Sequence, residues 1–223
     1  MPHRPPRRAA PSDDASEPLD QPVYDALFDD MLTGRRRPGE RLAEAQLCEA
    51  FSVSRTVVRK ALHRLAELHL VEIVPNKGAT VASPTPAEAV DVFEARRAVE
   101  GAIVRRLAGR LRHADLDRLR RRLAAEHSAV DGHDAPGWAR LAGGFHLALA
   151  EMAGNGVLQR MLVELLARCT QVVALYETPG NARCEHDEHT GLVDLLELGD
   201  ADGAARLMDV HLRELEARLA FPG

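Results

Sequence analysis

Three histidines in the C-terminal half of the chain could act together, because each follows the apolar spacing of a different predicted helix. They are His146, His189 and His211. Their neighbours at three- and four-residue steps are apolar, which turns all three imidazoles toward one interior. Neutral imidazole is a good ligand for zinc, nickel or iron, so the spacing is compatible with a divalent-metal site. Three separate core histidines, each hydrogen-bonded on its own, are the alternative.

A hydrolytic metal centre is a second hypothesis for the same residues, since three histidines and a zinc-bound water can attack a substrate. The sequence contains no HExxH motif. The only neighbouring acids that could serve as a base are Glu185 and Glu188, beside His186 and His189. A metal-dependent hydrolase is therefore the weaker of the two interpretations.

A basic segment near the N-terminus holds the other residues that could do chemistry. Arg55, Thr56, Arg59 and Lys60 fall in the first two turns of a predicted helix whose N-cap is Ser54. Arginine presents a planar fork that matches guanine or phosphate, and the N–H groups at a helix N-terminus also bind phosphate. Apolar residues recur at helical steps on another side: Val58, Ala61, Leu62, Leu65 and Leu68. The pattern predicts a DNA-contacting helix; an ordinary solvated face is the alternative.

The segments on both sides of this helix predict a winged helix-turn-helix at residues 19–83. Residues 41–51 have the spacing of a short helix, and a tight turn separates them from the basic helix. Downstream, residues 70–74 and 79–82 are rich in β-forming residues and flank a hairpin tip. Because of its charge, Lys77 at that tip is expected to contact DNA.

Composition places the chain among globular proteins with a helical body. Hydrophobic residues make up 45% and aromatic residues only 4% of the 223 residues. The formal net charge is −5, so a nucleic-acid contact must depend on local basic clusters. Three widely spaced cysteines indicate no disulfide framework, and no apolar run is long enough to span a bilayer. We therefore expect a cytoplasmic protein with no membrane partner.

Helical patterns without any strand-like stretch fill residues 84–223 and predict an antiparallel bundle of about six helices. Thr85, Pro86 and Glu88 have the spacing of a capping box, which marks the start of this second domain. At the other end of the chain, the proline- and arginine-rich residues 1–18 lack apolar periodicity and predict a disordered tail. The expected fold class is mainly α, with two domains after the tail.

The segment PGERLAEAQL at residues 38–47, followed by VSRTVVRKALHRL at 53–65, resembles the DNA-binding domain of GntR-type bacterial transcription regulators. The resemblance implies that Arg55, Thr56 and Arg59 read the DNA groove. It also implies that Gly78 lets the wing tip approach the DNA backbone.

Two positions depart from that family's pattern. Val57 stands where the family has a proline, which a first helical turn tolerates but does not require. Ala45 stands where some relatives have an arginine, so one DNA contact is expected to be missing.

Residues 86–215 resemble, more loosely, the FCD-type effector domain of the FadR branch of that family. The motifs that carry this resemblance are Arg96-x-x-Val-Glu100, Phe145-His146, Ala153-Gly-Asn155 and Glu188-His189. The resemblance implies a divalent metal of the zinc or nickel class at His146, His189 and His211. It also implies a pocket for a small organic-acid effector that contains Arg96, with Asn155 and Tyr176 as further candidates.

One departure weakens the metal hypothesis: many FCD domains have an aspartate one turn before the first histidine, and that position here is Ala142. Either the three histidines hold the ion, with water or an effector carboxylate completing the coordination, or the pocket has lost its metal. Arg96 could bind a carboxylate with two hydrogen bonds, or form an internal salt bridge with Glu100. Asn155 is equally explained as a helix-ending residue between two glycines.

These features together indicate a DNA-binding transcription regulator, expected to be a repressor rather than an enzyme. A homodimer would place two recognition helices on a palindromic operator. An effector bound in the bundle would alter the spacing or mobility of those helices. A coupling of about 1–3 kcal/mol is sufficient, since it changes affinity about 5–150-fold.

Overall fold

The computed structural model describes residues 18–75, 78–133, 135–176 and 182–221. Its N-terminal part contains three helices and three short strands: α1 Gln21–Leu32, β1 Arg41–Leu42, α2 Glu44–Phe51, α3 Arg55–Glu67, β2 Val71–Val74 and β3 Gly78–Val81. Six longer helices follow: α4 Pro86–Leu107, α5 His113–Asp131, α6 Ala135–Met152, α7 Gly156–Tyr176, α8 Ala182–Leu198 and α9 Ala201–Ala217. The predicted fold class, a winged helix-turn-helix followed by about six helices, is confirmed.

Helix α3 is fixed by its cap and by its contacts with α1. The Ser54 hydroxyl accepts a hydrogen bond from the backbone N–H of Val57, as expected of an N-cap. Four apolar side chains on one face of α3 are buried: Val58, Ala61, Leu62 and Leu65. On its outer side, Arg64 donates to Asp20 at 2.8 Å and stacks over the Tyr24 ring. The basic first turn is therefore carried on a firmly packed helix.

The wing contains a strand that the sequence pattern did not predict. The sheet has the order β1-β3-β2 with antiparallel pairs, and Arg41 lies opposite Thr80. Residues 41–51, predicted as one helix, thus begin with a two-residue strand, and the helix starts only at Glu44. The reason is tertiary, because pairing with β3 satisfies backbone groups that a helix would otherwise use.

The bundle begins with the predicted capping box, in which the Thr85 hydroxyl accepts from the Glu88 N–H and the Glu88 carboxylate accepts from Thr85. All six helices contribute to one hydrophobic core. Helix α4 packs along α9 and α7, and α5 packs against α6 and α8. No helix in the described part of the chain is long and apolar enough to cross a membrane.

The two parts of the molecule meet along α7. Its Thr170 hydroxyl lies between two acceptors, the carbonyl of Leu32 at the end of α1 at 3.2 Å and the carbonyl of Leu166 in its own helix at 3.0 Å. The Tyr176 hydroxyl donates to the carbonyl of Pro84 at 2.8 Å. Ala167 is buried in the core of the N-terminal part, although it belongs to a bundle helix. A shift of α7 would therefore reach α1 directly.

Two of the predictions concern residues without structural description. Apart from Pro18, the predicted tail at residues 1–18 lies outside the described residues, and so does Lys77.

Replacing Leu65 with alanine should lower the free energy of unfolding by about 2–5 kcal/mol, because it leaves a cavity in a core position that is 0% exposed. Urea denaturation measures the effect. The matched control is Leu198→Ala, at a leucine that is 80% exposed, which should change the stability by less than about 0.5 kcal/mol. Equal effects of the two substitutions would contradict the assigned core.

Candidate functional site

The predicted DNA-contacting residues lie on two sides of the exposed start of α3. Arg55 and Arg59 line a groove between α3 and the wing, with Gly78 at its edge. Thr56 and Lys60 line a second hollow, which faces the residues before α1. All four α3 side chains are exposed, so the helix presents cationic and hydroxyl groups on both flanks of its N-terminus. Gly78 has a positive φ of 96°, a conformation that favours glycine.

Arg59 is oriented by a carboxylate of the preceding helix. Its Nε donates to Glu44 at 2.8 Å across the helix-turn-helix. The pair leaves the two terminal nitrogens of the guanidinium for an acceptor in the groove. Because the Arg59 side chain remains 62% exposed, the pair serves orientation rather than stability.

Arg41 and His63 also line the groove, although neither was assigned to it from the sequence. Arg41 is held at the groove by the β1–β3 pairing, which the sequence pattern did not reveal. In the sequence, Arg41 is one of a local cluster of basic residues, but the cluster alone does not show which of its members face the groove.

The bundle brings together His146, His189 and His211, which are 4%, 0% and 1% exposed. One ring nitrogen from each lies within 4.8 Å of the others. The ring centroids are 5.1, 5.3 and 4.8 Å apart. Two imidazoles on one tetrahedral ion, with metal–nitrogen bonds of about 2.0–2.1 Å, would have centroids about 5.2 Å apart. The spacing therefore fits three imidazoles around a single ion.

A carboxylate partner engages the Nδ1 atom of each of the three histidines. Glu126 accepts from His189 at 3.0 Å, and Glu188 accepts from His211 at 2.6 Å. Glu100 makes the corresponding contact with His146. An Nδ1–H donated to a carboxylate leaves the Nε2 lone pair free, the arrangement typical of histidine ligands to metals. The Nε2 of His189 is buried and has no hydrogen-bond partner among the described residues.

Burial favours the neutral form of His146 and His211, because it lowers the pKa of both imidazoles. Desolvation lowers the pKa of His146, although the Glu100 carboxylate opposes this shift. Desolvation, followed by the charges of His189 and His146, lowers the pKa of His211 well below its usual value. Neutral imidazoles are the form that can bind a cation.

Arg96 forms the internal salt bridge that was the alternative to an effector contact. Its Nε donates to Glu100 at 2.8 Å, and one terminal nitrogen lies 3.1 Å from the Cys169 sulfur. Desolvation opposes the charge on Glu100, but Arg96 and His146 outweigh it and lower the pKa of Glu100 to about 2. Arg96 thus acts through Glu100 to orient His146.

A cavity of about 140 Å³ lies beside the cluster. His146 and His211 form part of its wall, and so do Arg96 and Ala142. The opposite wall includes Leu32 and Thr33, which belong to the end of α1 and the residue after it. The cavity therefore touches both the histidine cluster and the DNA-binding part of the chain.

The two other predicted pocket residues do not line this cavity. The Asn155 side chain accepts hydrogen bonds from the N–H groups of Val157 and Leu158, so it caps the start of α7. Tyr176 packs against Phe221 and hydrogen-bonds to Pro84. Their roles are structural, because each side chain is engaged at the end of an element.

Sequence reasoning missed two groups at this site. Glu126 could have been found, since it continues the apolar spacing of Leu116, Leu119 and Leu123 along α5, where an acid needs a buried partner. Trp138 and Arg140 also line the cavity. They lie at the start of α6, and no spacing signal connected them with the histidines.

A winged helix-turn-helix joined to a helical bundle defines a DNA-binding transcription regulator. Comparison with known families supports and narrows this class. Residues 19–81 match the gntR family of bacterial regulatory proteins, and residues 91–214 match the FCD domain. The chain belongs to the GntR family of transcriptional regulators and carries an FCD domain.

Relatives over nearly the whole chain are regulators, not enzymes. The HTH-type transcriptional repressor RspR of Escherichia coli K12 is 26% identical over 90% of this chain and 88% of its own. The repressor NanR of Citrobacter rodentium is 27% identical over 96% and 87%. A GntR regulator structure from Rhodococcus sp. RHA1, 27% identical, has a TM-score of 0.75 over 89% and 95% of the two chains. E. coli McbR/YncC shares the fold, with a TM-score of 0.80 at 22% identity over 90% and 96%.

Replacing Arg55 or Arg59 with alanine should weaken binding to a duplex selected by the wild-type protein from a randomised library, by about 1–3 kcal/mol each. The physical reason is the loss of a guanidinium that donates into a DNA groove. Fluorescence anisotropy of the labelled duplex measures the affinity. Arg213→Ala, at an exposed arginine of α9, is the matched control and should bind as the wild type does. Unchanged affinity in both α3 variants would refute the groove assignment.

Proposed function

We propose that this GntR regulator is a homodimeric repressor whose affinity for a palindromic operator is set by ligands in the bundle cavity. Residues 19–83 form the DNA-binding domain, and residues 84–223 form the effector-binding and dimerisation domain. The ligands are a small organic acid and a divalent cation of the zinc or nickel class. Arg55, Thr56, Arg59 and Lys60 contact the operator from α3, and Lys77 contacts it from the wing tip. RspR and NanR are named as repressors, which supports the direction of control.

The observation that carries the proposal is the shared wall of the cavity. His146 and His211 face it from the bundle, while Leu32 and Thr33 face it from the DNA-binding part. The same end of α1 accepts the hydrogen bond from Thr170 of α7. A ligand that fills the cavity therefore contacts α1 and α7 at once. A ligand shifts a conformational equilibrium only if its contacts differ between the two conformations, and a ligand that contacts both α1 and α7 loses such contacts when the helices move apart.

The chemistry of the donor set supports a cation at the histidines. Three neutral nitrogens with an open fourth position are a known ligand set for catalytic zinc, so the carboxylate absent at Ala142 is not required. Glu126 and Glu188 offset the charge of a divalent ion without binding it, whereas Glu100 is already paired with Arg96. When bound, the ion would supply a Lewis-acid centre beside the cavity and would link α6, α8 and α9 through the three histidines.

The alternative of a metal-dependent hydrolase has no support in the family or in the relatives. The two acids that the sequence offered as a base are both engaged, since Glu188 accepts from His211 and Glu185 is paired with Arg218. A regulator accounts for both halves of the chain, whereas a hydrolase has no use for the winged helix.

The double variant His189→Gln with His211→Gln should lose zinc binding and any zinc-dependent change in operator affinity. Glutamine keeps a donor for Glu126 and Glu188 but is a poor zinc ligand. Zinc content after dialysis should fall from about one ion per chain to none, and anisotropy with the selected duplex should no longer respond to zinc.

His113→Ala, at an exposed histidine of α5, is the control and should retain both responses. The cation site would be contradicted if the wild-type protein bound no zinc at saturating zinc, or if the double variant still retained zinc. If the wild-type protein binds the operator equally well with and without zinc, control by the cation is contradicted.

A further inference from the structure

The cavity needs a recognition group other than Arg96 if it binds an anion. The charge of Arg96 is already balanced by Glu100, and both side chains are only 2% exposed. The other acid on the cavity wall, Glu185, is paired with Arg218. Breaking the buried Arg96–Glu100 pair to bind a ligand would leave Glu100 uncompensated, which costs more than a new pair returns. An anionic ligand is therefore better held elsewhere on the wall.

Trp138 and Arg140 provide the unused donors. Both line the cavity from the first turns of α6. The indole N–H of Trp138 is buried and has no hydrogen-bond partner among the described residues. Arg140 forms no ion pair within that part of the chain, and its side chain is exposed. A buried donor without an acceptor is unfavourable, so a small rotation of the indole that brings its N–H to a ligand oxygen in the cavity would be favoured.

Small residues leave space between these donors and the histidine cluster. Trp138, Ala142 and His146 recur at four-residue steps and share one side of α6. Ala142 and Gly143 line the cavity between them. A Cβ atom built at Gly143 would meet no atom within 4 Å. Ala142, which stands where many FCD domains have an aspartate, thus leaves room for a ligand along the helix.

We propose that Trp138 and Arg140 form an anion subsite of this cavity, where the indole N–H and the guanidinium bind the carboxylate of a small monocarboxylic acid. This inference rests on the proposed function only in taking the cavity as the effector site. It assigns recognition of the acid to the start of α6, and it leaves Arg96 with the task of orienting His146 through Glu100.

The size and lining of the cavity define the rest of the ligand. A cavity of about 150 Å³ holds one benzene molecule, so 140 Å³ admits a body of about six non-hydrogen atoms. Leu166, Val173 and Leu215 line the remaining wall. The ligand is therefore a short or cyclic carboxylic acid with an apolar body, rather than a long acyl chain or a polyhydroxylated sugar acid.

Trp138 is the only tryptophan of the chain, so its emission reports on this place alone. The full-length protein is titrated with acetate, isobutyrate, cyclopentanecarboxylate and benzoate, and with the neutral amide of each acid. Calorimetry gives the dissociation constants, and Trp138 emission shows whether the subsite responds. At least one carboxylate should bind saturably and change the emission, and its amide should bind at least about tenfold more weakly.

Four variants test the assignment by calorimetry. Arg140→Gln and Trp138→Phe should each weaken the binding carboxylate about tenfold, whereas Arg140→Lys should keep most of the affinity. Gly143→Leu should abolish binding by filling the cavity, and it should leave the circular dichroism of the fold unchanged. Arg121→Gln, at an exposed arginine of α5, is the matched control and should bind as the wild type does.

The titrations are repeated on EDTA-treated and on zinc-loaded protein. If the carboxylate binds only to zinc-loaded protein, and binds Arg140→Gln as tightly as the wild type, then the anion lies on the cation and the subsite is overturned. Absence of saturable binding by every carboxylate, or equal binding of acid and amide, would also overturn it. Binding that follows the variants as described but leaves operator affinity unchanged would confirm the subsite and contradict the proposed function instead.

Discussion

Three hydrogen bonds between glutamate carboxylates and histidine Nδ1 atoms constrain how the helices of the bundle pack. The glutamates come from α4, α5 and α8, and the histidines from α6, α8 and α9. Glu100 and Glu126 are buried, and a buried carboxylate without a partner is strongly unfavourable, so both must meet their histidines when the helices pack. This requirement selects one register among five helices, whereas apolar contacts alone would tolerate several.

The same constraint shapes the cavity. Because Nδ1 is engaged in each imidazole, the Nε2 atoms are left for a ligand, and His146 and His211 also line the cavity. Because Glu100 must be balanced, Arg96 is drawn into the core and no longer serves as a free cation at the wall. Among the described residues of the wall, Trp138 and Arg140 keep unused donors, on which the proposed anion subsite rests. Leu32 at the end of α1 also lines the cavity, and Asp20 just before α1 is paired with Arg64 of α3.

The sequence predicted most of the elements and part of the site. The spacing of Val58, Leu62 and Leu65 predicted α3, and the apolar faces around the three histidines predicted that they converge. Such periodic signals are local and survive without knowledge of the partner helix. The Arg41–Leu42 strand was missed because its stability comes from β3, which lies far along the chain. The sequence also could not show that the Asn155 side chain caps α7 or that Tyr176 hydrogen-bonds to Pro84, because such contacts depend on the assembled fold.

The carboxylate partners of the histidines show the limit of such reasoning most clearly. Glu126 interrupts an apolar stripe, which indicates a buried acid, but the stripe cannot say that its partner is His189. Which donors remain free in a cavity is decided only after every other pair has formed. The chemistry of the wall is thus a property of the assembled bundle, even though each residue is visible in the sequence.

Hydrogen exchange of the full-length protein tests most directly whether the cavity is coupled to the DNA-binding part. The amides of Thr33 and Gly34, which donate to the last turn of α1, are compared in EDTA-treated and zinc-loaded protein. Coupling through the shared wall predicts a change of exchange rate at these amides together with those around Thr170 of α7. Changes confined to α8 and α9, with identical exchange at the end of α1, would contradict it.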